Sequence, residues 1–193
     1  AGVIGCSVAW HLAKLGAGQR VLVLDRGQVG GGTSAQSSGI LRTHYSVPQN
    51  VELARRSWAV FDHFAQELDD TEASAGLVRS GYLIVAPPGE KSQALDAALA
   101  AQAAQGIEVH RLDAAQAREH LPIAQFEVDE LIGYEPQAGF ADAYLTATSF
   151  ARAARRKGVL VREGVAVQAL RIEGRRVTGV LTDQGPVATG CVV

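Results

Sequence analysis

The chain has no methionine and only two cysteines in 193 residues. Two thiols cannot build a disulfide framework, so a reducing, cytoplasmic compartment is the expectation. Cys6, on a packed helix, and Cys191, in a terminal strand, are both expected to be buried small hydrophobes. Charge of neither sign dominates, and a formal net charge of -2 gives no electrostatic case for nucleic acid. No apolar run approaches the roughly 18 residues that span a bilayer. Repeats, low-complexity tracts and Pro/Ser-rich linkers are missing, as is any Ser-His-Asp or metal-ligand cluster. What remains is a globular composition, 47% hydrophobic and 20% charged.

The first forty residues say most. Gly2-Val3-Ile4-Gly5 opens a helix running from Cys6 to Leu15, and Arg20 to Asp25 follows as a strand with an acid at its end. This order reads as the back half of a dinucleotide-binding βαβ unit, G-x-G-x-x-G, with Ala1 as its second letter. Gly2 lets backbone approach a pyrophosphate, and Gly5 lets the helix pack closely on its sheet. The helix N-terminus offers unpaired N–H groups and partial positive charge to phosphates. Asp25 stands about 20 residues past Gly5, where a carboxylate takes a ribose hydroxyl. Gly5, Ala9 and Ala13 form a small face, while Ile4, Val8, Leu12 and Leu15 form the expected apolar stripe. An ordinary Gly-rich helix start is the alternative. A second small-residue loop, Gly30 to Gly39, shifts the balance toward a flavin adenine dinucleotide (FAD) site.

Further along, Pro48 leads into one amphipathic helix with Ala54, Trp58, Phe61, Ala65 and Leu68 on one face, expected as core. A strand at 81–86 ends in Pro87-Pro88-Gly89. An Ala-rich helix spans 92–105 with Gly106 as its C′ residue. Asp113 and Gln116 form a capping box for a short helix ending before Pro122, and 131–135 is a strand. Asp142 caps a helix carrying Leu145, Phe150 and Ala153, stopped by Gly158. Its last turns hold Arg152, Arg155, Arg156 and Lys157, which suit the negative end of the dipole as a solvated face, with an anion site as the alternative. Strands at 165–172, 177–182 and 187–193 close the chain.

These residues resemble the FAD-dependent amino-acid and amine oxidoreductases, the group of sarcosine oxidase, glycine oxidase, dimethylglycine dehydrogenase and D-amino acid oxidase. The likeness lies in Gly2 to Ala13, in Val21 to Arg26, in the second flavin loop Gly32 to Arg42, and in Glu135 to Asp142. It implies a Rossmann-like α/β domain, residues 1–77 and 139–193, with part of an α+β substrate domain, 78–138, inserted. It requires residues 1–40 and 160–193 to pack together. It also implies that the chain is the N-terminal half of a longer protein, inactive alone, with the substrate-carboxylate ligands beyond Val193. Gly2 and Gly5 then face the pyrophosphate, Asp25 the ribose, and Arg26 the adenine end. Thr33, Ser34, Ser38 and Gly39 supply loop contacts, and the backbone of Val167 meets the adenine. Arg42 matches an arginine near the flavin ring. Gln36 stands where some relatives attach flavin covalently through His, so no such attachment is expected.

The chemistry needs hydride transfer from a substrate carbon to the cofactor, which carries the difficulty itself. The protein must position the amine, exclude water and place positive charge near the reducible ring. Arg42, His44 and Tyr45 follow the flavin loop and are the candidates to act there; support from behind the site or a surface loop is the alternative for His44 and Tyr45. His11 and His63 read as structural, and His110 and His120 have no evident partner. The expected activity is oxidation of the C–N bond of a small amino acid or N-methylated amine, with electrons passing to oxygen or to a partner acceptor. A hetero-oligomer is compatible with this. The rivals are an NAD(P)-linked dehydrogenase and a flavin-binding subunit without amine chemistry.

Overall fold

Caps and glycines set most element ends. A computed structural model describes residues 1–45 and 47–193. In chain order the elements begin with α1 (Val3–Leu12), β1 (Leu22–Leu24), β2 (Ile40–Leu41), α2 (Pro48–Asp62) and α3 (Phe64–Glu67). Next come β3 (Tyr82–Ala86), α4 (Glu90–Ala104), β4 (His110–Leu112), α5 (Ala114–His120), β5 (Leu131–Glu135) and β6 (Gly139–Phe140). The last are α6 (Ala143–Arg156), β7 (Leu160–Arg162), β8 (Val167–Glu173), β9 (Arg176–Thr182) and β10 (Gly185–Ala188). The Asp113–Gln116 box is closed in both directions. Asp142 Oδ1 accepts from Leu145 N–H at 2.8 Å, fixing the start of α6.

The chain divides into two compact units. The first comprises Ala1–Ser38, Phe64–Gly76 and Asp142–Val193. Its β1 and β7 pair in parallel, Leu22 opposite Leu160, so residues 1–40 and 160–193 do pack together, as the α/β fold requires. A three-stranded antiparallel sheet, β10–β9–β8, follows. Helix α1 lies along α6. Cys6, Ala9, Trp10 and Ala13 are the buried side of α1, while Ala147, Phe150, Ala151 and Ala154 are buried on α6. Small side chains on both helices permit a close approach.

Several expectations are corrected here. Ile4, Leu12 and Leu15 of the predicted stripe are exposed, and the buried face runs through Trp10 instead. Helix α1 is apolar nearly all round, so its periodicity could not choose a side. The helix from Pro48 breaks at His63 (φ −124°, ψ 37°), leaving Ala65 and Leu68 on or after the separate α3. Leu145 is exposed. Cys191 is exposed and lies beyond the last strand, because β10 ends at Ala188. The cations closing α6 are paired: Asp70 accepts from Arg152 and Arg156, Glu163 faces Arg155 and Asp69 faces Lys157.

The second unit comprises Gly39–His63 and Leu77–Ala141. Residues 39–63 therefore sit here, where the sequence grouped them with 1–77. Its sheet, β3–β5–β4, is antiparallel throughout, with Tyr82 opposite Glu135 and Ala86 opposite Leu131. Alternation along β5 sends successive residues to opposite faces. One face meets α4 in a core of Ala86, Leu95 and Leu99, packed with Ile84 and Leu131. The other meets α5 in a core of Ala117, Phe126 and Ile132, packed with Leu83 and Leu112. β2 and β6 form a second small ribbon, Ile40 opposite Phe140. No helix among the described residues is long and apolar enough to cross a membrane.

Candidate functional site

Each unit holds a candidate site. In the first, α1 begins at Gly2, whose extended backbone (ψ −179°) turns directly into the helix. Glycine has no side chain to cap with, and Ser34 Oγ instead accepts from Val3 N–H at 3.0 Å. A Cβ on Gly2 would stand 2.9 Å from that oxygen, so a larger residue there would push the Ser34 side chain aside. Gly5 and Gly32 meet no atom within 4 Å of a notional Cβ. The first turn of α1 thus presents open backbone and the positive end of a dipole.

Asp25 follows β1 at the same rim. One carboxylate oxygen accepts from Gly27 N–H at 2.8 Å. Arg26, Thr33 and Ser38 are exposed on the same run of chain. Val167 opens β8 opposite Thr182 and is about half exposed.

The second site surrounds residues 42–45. Arg42 Nη1 donates to the Tyr82 hydroxyl at 2.9 Å. Its guanidinium carbon lies 5.0 Å from the Tyr82 ring centre and 5.4 Å from that of Tyr45, within cation–π range of both. No carboxylate among the described residues forms an ion pair with it. Thr43 gives both its N–H, at 2.8 Å, and its hydroxyl to Glu135 Oε1. His44 Nδ1 lies 2.9 Å from Gln102 Nε2 and 3.1 Å from Oε1. Burial pushes the His44 pKa down, and the Arg42 charge adds to this; the Gln102 contact and the Glu135 charge oppose it. A neutral imidazole, able to accept a proton, is favoured. Gly39, where this segment begins, is held at φ +66° with a notional Cβ overlapping the Ala141 carbonyl oxygen.

Gly2, Gly5 and Ser34 share one rim and Asp25 adjoins it, while Arg42 and Tyr45 touch each other and His44 stands beside them on a separate anchor. His110 and His120, without partners in the sequence, both flank the Tyr134 ring, with centroids 6.5 and 4.1 Å away. Sequence reasoning missed the groups that hold the second site: Glu135, Thr43, Gln102 and Tyr82. Two carried a signal. Gln102 falls on the helical stripe of Leu95 and Leu99, a polar residue in an apolar row. Glu135 ends a strand whose other residues are mostly apolar.

Comparison with known proteins places this geometry. A family model described as FAD dependent oxidoreductase (DAO) matches residues 1–193. The chain is 33% identical over 199 aligned residues to mouse (Mus musculus) mitochondrial sarcosine dehydrogenase, covering 100% of this chain and 21% of that one. It is 29% identical to the mouse mitochondrial pyruvate dehydrogenase phosphatase regulatory subunit, covering 96% of this chain and 21% of the relative. The solved glycine oxidase of Bacillus cereus superposes with a TM-score of 0.81 at 28% identity, covering 98% of this chain and 51% of that structure. The chain therefore spans between a fifth and a half of these relatives' length.

Proposed function

The chain belongs to the FAD dependent oxidoreductase (DAO) family, and on that premise we propose that the full-length protein oxidises the C–N bond of a small amino acid or N-methylated amine to an imine. Family membership sets aside the NAD(P)-linked alternative. The observation that carries the reading is Arg42, a guanidinium held against two tyrosine rings and with no carboxylate ion-pair partner among the described residues. An uncompensated, immobilised cation is what stabilises negative charge that appears during a reaction.

The residues of the first rim fit FAD. The backbone is open at Gly5 and Gly32, and at Gly2 the only atom near a notional Cβ is the Ser34 hydroxyl oxygen. Gly2, Gly5 and the first-turn N–H groups of α1 hold the pyrophosphate, with Thr33, Ser34, Ser38 and Gly39 as loop contacts. Asp25 takes the ribose, Arg26 lies at the adenine end and the Val167 backbone meets the adenine. When bound, FAD supplies the hydride acceptor. Arg42 provides the positive charge and Tyr45 braces it. His44, anchored by Gln102, would offer the incoming amine a hydrogen-bonding partner. Oxygen or a partner acceptor would serve as the final electron acceptor.

A substrate panel tests this. Full-length protein should be yellow, and sarcosine, dimethylglycine, glycine, proline or a D-amino acid should bleach it. A yellow preparation that none of them bleaches would overturn the catalytic reading. It would support a flavin-binding subunit without amine chemistry, a role suggested by the similarity to a regulatory subunit.

Asp25 is expected to matter to cofactor retention rather than to turnover. Losing charge-assisted hydrogen bonds to the ribose should cost about 1.5–3 kcal/mol of binding. Asp25→Ala should therefore raise the FAD dissociation constant at least about tenfold, while enzyme saturated with FAD turns over almost normally. Flavin-fluorescence titration decides it, and unchanged affinity removes Asp25 from the site.

A further inference from the structure

We propose that Glu135 is a positioning residue that grips Thr43 and thereby fixes where Arg42 and His44 stand; the proposal rests on the amine-oxidation reading above. Glu135 is 1% exposed. A carboxylate taken out of water is destabilising unless hydrogen bonds replace its hydration. Here Oε1 receives two bonds, both from Thr43, and Oε2 is buried with no partner among the described residues. Packing alone would favour an apolar residue at 135.

Register explains the geometry. Glu135 on β5 is directly opposite Tyr82 on β3, so the two side chains rise side by side on one face. Tyr82 receives Arg42 and Glu135 receives Thr43. His44 is then met by Gln102 from α4, itself 1% exposed. Three consecutive residues are thus held by three separate elements, and the Glu135 grip is the one that fixes backbone as well as side chain. Arg42, one residue away, inherits that placement.

The test uses FAD-loaded full-length protein, with two readouts: the rate of flavin bleaching by a substrate amine, and amide hydrogen exchange over residues 42–44. Glu135→Leu should slow bleaching about 100-fold at unchanged FAD content, the scale expected from displacing a group by about an ångström, and should speed exchange over 42–44. Glu135→Gln keeps an acceptor and should recover to within about tenfold of wild type, the gap between a charge-assisted and a neutral hydrogen bond. Should Glu135→Leu fail to fold, Thr43→Val removes only the hydroxyl donor and should slow bleaching while Thr43→Ser restores it. Wild-type bleaching rates in the folded variants, or a loss that follows FAD loss, would overturn the proposal. If no amine bleaches the wild-type protein, the functional reading fails on its own. Exchange still decides the grip, and unchanged exchange in Glu135→Leu and Thr43→Val would overturn it.

Discussion

Arg42→Leu is expected to slow reduction of bound FAD by amine about 10²–10³-fold, the range seen when one preorganised electrostatic donor is removed. The guanidinium is preorganised by a 2.9 Å hydrogen bond to Tyr82 and by two aromatic rings. It therefore needs no rearrangement when negative charge develops. Arg42→Lys should recover only part of the rate, since an ammonium lacks the planar fork that stacks between rings. FAD content should hardly change, because the dinucleotide contacts are assigned to other residues. Stopped-flow bleaching alongside FAD stoichiometry separates these effects. A near-normal rate in Arg42→Leu would detach this residue from the chemistry and leave it as a strut.

A large stability loss is expected at Gly139. A Cβ there would stand 2.9 Å from Arg79 Cα and closer still to the carbonyl oxygen of Val78. That oxygen belongs to a two-way bridge: Phe140 N–H donates to it at 3.0 Å, and Val78 N–H donates to Phe140 O at 2.8 Å. Backbone cannot swing aside as a side-chain end does, so a methyl group must break the bridge or displace β6. Two hydrogen bonds at about 1 kcal/mol each, with an overpacking term of about 1–3 kcal/mol, give a loss of about 3–5 kcal/mol for Gly139→Ala. Gly5→Ala is the control, since nothing lies near its Cβ and alanine favours the helix by up to about 1 kcal/mol. Denaturant unfolding measures both. A Gly139→Ala loss under about 1 kcal/mol would show that the bridge can yield.

Local signals were legible and distant ones were not. The capping residues Asp113, Gln116 and Asp142 act within three positions of themselves, so sequence announces them. The strand Leu131–Glu135 was marked by composition. The glycines of the α1 rim are likewise a local pattern. Strands β2, β4, β6 and β7 are two or three residues long; each exists because a distant partner completes it, and no window of sequence contains both. The break at His63 has neither proline nor glycine to announce it. The second site is less legible still: Arg42, His44 and Thr43 meet partners 40, 58 and 92 residues away. Sequence offered Arg42 and His44 as candidates on one side of these contacts and no means of choosing the other.

The pairing of Tyr82 with Glu135 also bears on how the sheet avoids assembling wrongly. Sliding β5 by a single residue would turn every side chain to the opposite face. Glu135 would then enter the apolar layer of Ala117 and Phe126, while Ile132 would leave it. An unpaired carboxylate among those groups would cost several kcal/mol, enough to make the slipped sheet rare. In the observed alignment Thr43 offsets that penalty, so the acid disfavours the one-residue slip and favours the alignment that seats Thr43 next to Arg42.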